Sequence, residues 1–301
     1  MKLYQFIERY FWIFLITGLL AGLFFPVYND LLMSLLKPFL MVMLLLVFLK
    51  TDISQIFHKM KNYRQIVFIV VMNMAIIPVL FFFAIKVFDE NLAIGILLLT
   101  AMPAGVATPA LTDIVRGNTA LSAVIVITTS AIAPLSIPLL FWIIGIDKLS
   151  VDPWYLFKDL SIIIFLPMII SQIVKRYFPD FIDRKNYLFT SVNVFILAVM
   201  VYAAMGSQKS LILGQPQKIF WQIGFLYIIF ILLHLFGFFM GFKEDLKGKI
   251  ATTIGSAYMN NGLAIVLAAI YFEPSILFLI VLSELPWNTL LVPFRRIIKY
   301  I

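Results

Sequence analysis

Two stretches of this chain place prolines, glycines and side-chain amides where long apolar runs would otherwise continue. The first reads Met102-Pro103-Ala104-Gly105, followed by Thr108-Pro109 and Thr112. The second reads Gly255-Ser256-Ala257-Tyr258-Met259-Asn260-Asn261-Gly262. Proline and glycine interrupt a helix, and the interruption frees backbone N–H and C=O groups. In hydrocarbon those groups need partners from the protein or a wet cavity. The half-helix after each break points its positive dipole end at the gap, so two facing gaps would attract an anionic group. The amide oxygens of Asn260 and Asn261 could ligate a solute or ion, or cap the exposed helix ends.

Glu284 is the third element of this chemistry. It lies about ten residues after Pro274 and nine before Pro293, near the middle of an apolar run. An ionisable group at such a depth costs on the order of 3 kcal/mol and marks a functional site by default. The reading is a proton carrier or a relocated cation ligand, set against a structural carboxyl that holds Asn288. Thr128, Thr129 and Ser130 could face the gaps, although hydroxyls in such helices more often bond their own backbone. Asp113 and Arg116 read as an interfacial pair, and His234 as a packed histidine. No HExxH motif, paired intramembrane aspartates or Ser–His arrangement is visible, so an intramembrane enzyme is the weakest alternative. Without cysteine, thiolate metal sites and thiol nucleophiles are excluded.

The elements that must carry these residues are membrane spans. Of 301 residues, 63% are hydrophobic and only 13% charged. A soluble domain could not bury so much apolar surface. Spans of about 20 residues are predicted near 10–28, 31–49, 66–87, 92–115, 119–145, 155–174, 187–206, 219–241, 249–271 and 274–296. The first run reads as a span rather than a cleaved signal. With a cytoplasmic N-terminus, inner segments carry 17 of the 23 Lys and Arg, and the outer side only Lys37, Lys86, Lys148, Lys158, Lys209 and Lys218. That asymmetry places both termini inside, in the cell inner membrane. It also accounts for the net charge of +8 without nucleic acid. Neither an ATP-binding glycine-rich loop nor an obligate protein partner is expected.

The breaks fall in the fourth helix of each five-helix half. An odd number of spans per half makes the halves an inverted repeat, 1–150 and 151–301. Matching broken helices in such a repeat point to a transporter site.

The stretch MPAGVATPALTDIVRGNTALSAVIVITTSAIAPLSIP, from Met102 to Pro138, resembles the bile acid:sodium symporter family in its fourth-span break, its Arg116-Gly117-Asn118 turn and its Ser/Thr-rich fifth span. Met259-Asn260-Asn261-Gly262-Leu263-Ala264 resembles that family's ninth-span break. Asn73, five residues before Pro78, and Trp287-Asn288 match polar positions in its third and tenth spans. The resemblance implies an all-α membrane protein of ten helices. Spans 1, 2, 6 and 7 would form a panel, and spans 3–5 and 8–10 a core in which helices 4 and 9 cross. A small organic anion would bind between the two and pass by alternating access. The candidate site residues are Asn73, Pro103, Gly105, Thr108, Pro109, Thr112, Ser122, Ser256, Tyr258, Met259, Asn260, Asn261, Glu284 and Asn288.

Several positions depart from the family's sodium ligands. Pro109 stands for an asparagine, Gly255 for a glutamate, Met259 for a glutamine and Val126 for a threonine, while Ser122 is retained. Thr108, Ser122 and Asn260 remain as sodium candidates, and coupling is left open between Na+, H+ and no ion at all. No other cofactor is expected. An auxin-efflux-type carrier of the same architecture is the second reading. Arsenite-efflux relatives are less favoured, since their fourth-span cysteine is absent.

Overall fold

The computed structural model describes residues 10–50, 63–145, 152–214 and 216–300. All regular structure among them is helical. The helices are α1 (Phe11–Phe24), α2 (Leu36–Lys50), α3 (Tyr63–Lys86), α4 (Glu90–Thr100), α5 (Thr108–Ile114), α6 (Thr119–Ile144), α7 (Pro153–Tyr177), α8 (Pro179–Ser207), α9 (Pro216–Met240), α10 (Leu246–Ala257), α11 (Asn261–Tyr271) and α12 (Pro274–Tyr300). Two six-residue helices, Asn29–Ser34 and Lys209–Gly214, connect them. Lys2, Arg9, Lys59, Lys61 and Lys148 of the charge argument lie outside the described residues.

Among the described residues, six helical stretches are long and apolar enough to cross a membrane: α3, α6, α7, α8, the Ile219–Met240 part of α9, and α12. The segment predicted to be the first span ends as a helix at Phe24, short of Pro26. The second is divided at Leu35. The fourth and ninth predicted spans are each two shorter helices, α4 with α5 and α10 with α11. At 1.5 Å per residue, the 11 residues of α4 rise about 16 Å, half of a hydrocarbon layer.

Proline shapes the long helices as well. In α3 a wide π turn, Met72–Ile76, precedes Pro78 and relieves the clash of its ring with the preceding turn. In α12 the helix is interrupted at Ser283 and Leu290, each three residues before a proline, Pro286 and Pro293. Pro286 has no N–H to give to the Leu282 carbonyl.

The packing falls into two groups. Helix α8 lies against α1 and α2, and α7 against α2. Helices α3, α4, α5, α6, α9, α10, α11 and α12 pack among themselves, α9 on α10, α3 on α4 and α11 on α12. The groups touch through α6 on α7 and through α8 and α2 against α11. Glycines let α1 approach α8: a Cβ on Gly18 or Gly22 would run into the backbone of Ala198 or Tyr202. Outward-facing residues such as Phe83, Leu135, Trp142, Phe195 and Phe239 are exposed and apolar, as a lipid-facing surface requires.

Candidate functional site

The two breaks meet inside the second group. The Gly105 N–H donates to the Tyr258 carbonyl at 2.7 Å, and the Asn260 N–H donates to the Pro103 carbonyl at 2.8 Å. Ala104 and Met259 are thereby paired antiparallel, one residue from each break. Two breaks far apart in sequence satisfy each other's freed backbone groups. Gly105 permits this approach, because a Cβ there would sit 2.7 Å from the Tyr258 carbonyl oxygen and 2.8 Å from that of Met259.

Around the first break side chains join the backbone pairing. The Ala104 N–H donates to the Thr129 hydroxyl at 3.1 Å, and that hydroxyl donates to the Ile125 carbonyl at 2.7 Å. Thr108, the first residue of α5, donates its hydroxyl to the Tyr258 carbonyl at 3.2 Å. Pro109 follows it at a helix start where no N–H is missed. The Thr112 hydroxyl donates to Ser122 at 3.0 Å, with both residues fully buried. The neighbouring space is hydrocarbon, since Ile69, Ala104, Ile125 and Val126 form a buried cluster. A side chain at Gly255 would meet the Ile125 methyl group at 3.0 Å. Two polar atoms on the α3 and α6 side stay unpartnered, Asn73 Nδ2 and Ser130 Oγ. Helix α5 has only seven residues, so its dipole is slight, and the eleven-residue α11 is the stronger half-helix.

The second break is held differently. The Asn260 side chain caps α11 by accepting the Leu263 N–H at 3.0 Å. The Trp287 indole N–H donates to the Met259 carbonyl at 3.2 Å and its ring meets Tyr258 edge-on. His234 Nδ1 lies 2.7 Å from the Phe230 carbonyl and must carry the proton. Its Nε2 therefore accepts from the Tyr258 hydroxyl at 3.3 Å, so His234 anchors Tyr258 as a satisfied packing residue. Ser256 turns back to the Thr252 carbonyl at 2.8 Å within its own helix.

Beyond the break, Asn261 donates through Nδ2 to the Ser283 hydroxyl at 3.2 Å, and its amide also faces the Glu284 carboxylate. Asn288 Nδ2 donates to the Glu284 carbonyl at 2.6 Å and to Glu284 Oε2 at 3.0 Å. Asn261 and Glu284 are 4% and 3% exposed. Three buried oxygens in this group have no partner: Asn261 Oδ1, Glu284 Oε1 and Asn288 Oδ1. Ser283, which ties the group together, was not among the expected residues. Its signal in the sequence was Pro286 three residues later, which opens the helix at that point.

A second buried carboxylate lies between the two packing groups. Asp159 of α7 is 7% exposed, ion-paired with Lys37 of α2, and accepts the Tyr271 hydroxyl of α11 at 2.6 Å. This is a polar link between the two packing groups. An open cleft of about 830 Å3 elsewhere, lined by Pro26, Tyr28, Asn29, Asp30, Gly206 and Ser207 among others, contains none of the expected site residues.

Comparison with known proteins places the chain in a family. Residues 37–215, more than half of the chain, match the model of the Sodium Bile acid symporter family. The chain is 25% identical over 284 residues to the "Uncharacterized sodium-dependent transporter YocS" of Bacillus subtilis, covering 91% of this chain and 85% of that one. It is 25% identical over 186 residues to the "Probable sodium/metabolite cotransporter BASS1, chloroplastic" of Oryza sativa, covering 60% of this chain and 44% of that one. The corresponding protein of Arabidopsis thaliana is 24% identical over 206 residues, covering 66% and 50%. The chain thus spans about half the length of these two plant relatives.

Proposed function

Because the chain belongs to the sodium bile acid symporter family, and is therefore a membrane transporter rather than an enzyme, we propose that it carries a small organic anion by alternating access, coupled to a cation. The observation that carries this reading is the crossing itself, in which two broken helices satisfy each other through paired backbone hydrogen bonds. Such a crossing is stable at membrane depth only when it is enclosed by protein or lines a cavity, which is where transporters keep their sites.

In this reading the chain crosses the inner membrane ten times with both termini cytoplasmic. Spans 1–5 and 6–10, residues 1–150 and 151–301, are inverted repeats. The panel comprises α1, α2, α7 and α8, and the core the other helices, in keeping with their packing. The solute is a carboxylate, sulfonate or bile-acid-like anion, held between panel and core beside Asn73 and Asn260. The α11 N-terminus favours its negative group. The coupling cation travels as a second substrate.

The Asp159–Tyr271 hydrogen bond joins panel to core. In this topology both residues lie toward the outer surface, so the bond acts as an outer latch that must break when the carrier opens outward. The test is uptake by purified protein in proteoliposomes, offered labelled taurocholate and a series of smaller sulfonates and carboxylates. Saturable uptake of at least one anion, accelerated by an inward cation gradient, is expected. No uptake of any anion beyond protein-free vesicles would overturn the proposal.

A further inference from the structure

We infer that Asn261, Glu284 and Asn288 form a seat for one monovalent, oxygen-seeking cation, placed between the second break and the interruption of α12. The inference rests on reading the chain as a cation-coupled carrier. It moves the cation away from Thr108, Ser122 and Asn260.

The argument is an accounting of donors and acceptors. The Ser283 hydroxyl donates to the Ile280 carbonyl at 2.6 Å. With that proton used, Ser283 can only accept from Asn261, so the atom facing it is the amide nitrogen. Asn261 Oδ1 is thereby turned elsewhere. Asn288 faces two acceptors, the carbonyl and Oε2 of Glu284, so its nitrogen points there as well and its Oδ1 is turned away. What remains unpartnered in this group is oxygen throughout: Asn261 Oδ1, Glu284 Oε1 and Asn288 Oδ1. A cation can satisfy three acceptors at once, whereas a single water molecule has only two hydrogens to donate. One carboxylate and two neutral amides offer a single negative charge, which a monovalent cation balances and a divalent one leaves in excess. No Lys or Arg among the described residues pairs with Glu284. The described residues also gather no cluster of three acidic, histidine or cysteine ligands, as a transition-metal site would. Carboxylate and carbonyl oxygens are ligands for hard cations. The backbone opened by Pro286 lies beside them, which is how interrupted helices in transporters supply further carbonyl oxygens.

By contrast, none of the side-chain oxygens of the three earlier candidates lacks a hydrogen-bond partner. Thr108 donates to Tyr258, Ser122 accepts from Thr112, and Asn260 accepts the Leu263 N–H.

The experiment is equilibrium binding of 22Na+ to the purified full-length protein in detergent, with no organic solute present. Wild type should bind close to one ion per chain, saturably. Glu284→Gln should abolish binding, and Asn261→Ala and Asn288→Ala should each weaken it about 10-fold or more. Thr112→Ala and Ser122→Ala should leave it within about 2-fold. Unlabelled K+ should compete measurably, and Ca2+ should not displace the label better than Na+. The proposal is overturned by absent saturable binding in wild type, by full binding in both Glu284→Gln and Asn288→Ala, or by preferential displacement with Ca2+. Because binding is read without transport, failure to find a carried anion leaves this result standing, and the reverse holds too.

Discussion

At the first break protein groups take up the backbone N–H groups of the crossing, and the buried atoms left over beside it are an amide nitrogen and a hydroxyl, Asn73 Nδ2 and Ser130 Oγ. The Ala104 and Gly105 N–H groups go to Thr129 and Tyr258, Thr112 goes to Ser122, and Ile125 and Val126 fill the space beside them. At the second break the backbone is equally well paired, yet three side-chain oxygens around Glu284 are left over. The two regions are joined by the same pair of backbone bonds and share one crossing. Their difference separates two uses of a broken helix. Where protein groups close the accounts, the break is architecture. Where buried acceptors remain, each unsatisfied group would cost about 1–3 kcal/mol, and a ligand is what relieves it.

The sharpest way to break this comparison is Gly105→Val. Its side chain would overlap the Tyr258 and Met259 carbonyl oxygens, forcing the breaks apart and exposing both sets of backbone groups. We expect loss of more than about 4 kcal/mol of stability, read as failure to recover a monodisperse protein. A Gly105→Val protein with near-normal stability and transport would mean that the crossing is not needed.

Glu284→Gln comes next. It should remove the stabilisation given by saturating Na+, about 2.7 kcal/mol at 100 Kd, while leaving the cation-free midpoint unchanged or raised because a buried charge has gone. Thr129→Val sharpens the other side of the comparison. It strands the Ala104 N–H and should cost about 1–3 kcal/mol, with the shift caused by Na+ intact. Tyr271→Phe removes one charge-assisted hydrogen bond between the two packing groups, the proposed panel and core, worth about 1.5 kcal/mol or more. It should favour the outward-open carrier roughly 10-fold. The chain has no cysteine, so a single cysteine introduced near the outer end of α11 reports this as faster labelling from outside. Ser256→Ala should do least, under about 0.5 kcal/mol, because its hydroxyl only bonds its own helix.

Both breaks could be read directly, because proline and glycine act on the backbone wherever they stand. So could the burial of Glu284, from its distance to the flanking prolines. The crossing of the two breaks was implied by the resemblance, although residue types alone do not specify which carbonyl meets which N–H. Lys37, Asp159 and Tyr271 escaped notice since they lie on three helices more than a hundred residues apart. Asp159 also sits in the first turns of its helix, about 9 Å in at 1.5 Å per residue, where an acid raises no alarm. The interruption at Ser283 was hidden because an apolar run with a proline can either kink or continue. The departures at Gly255 and Val126 were visible, and Ile125 completes the hydrocarbon that fills that position.

The most direct test of the account is the thermal midpoint of purified wild type, Ser122→Ala and Glu284→Gln in NaCl against choline chloride at fixed ionic strength and pH. The account predicts that Na+ raises the midpoint of wild type and Ser122→Ala alike and leaves Glu284→Gln unmoved. An Na+ shift that persists in Glu284→Gln and disappears in Ser122→Ala would place the cation at the first break and contradict the account.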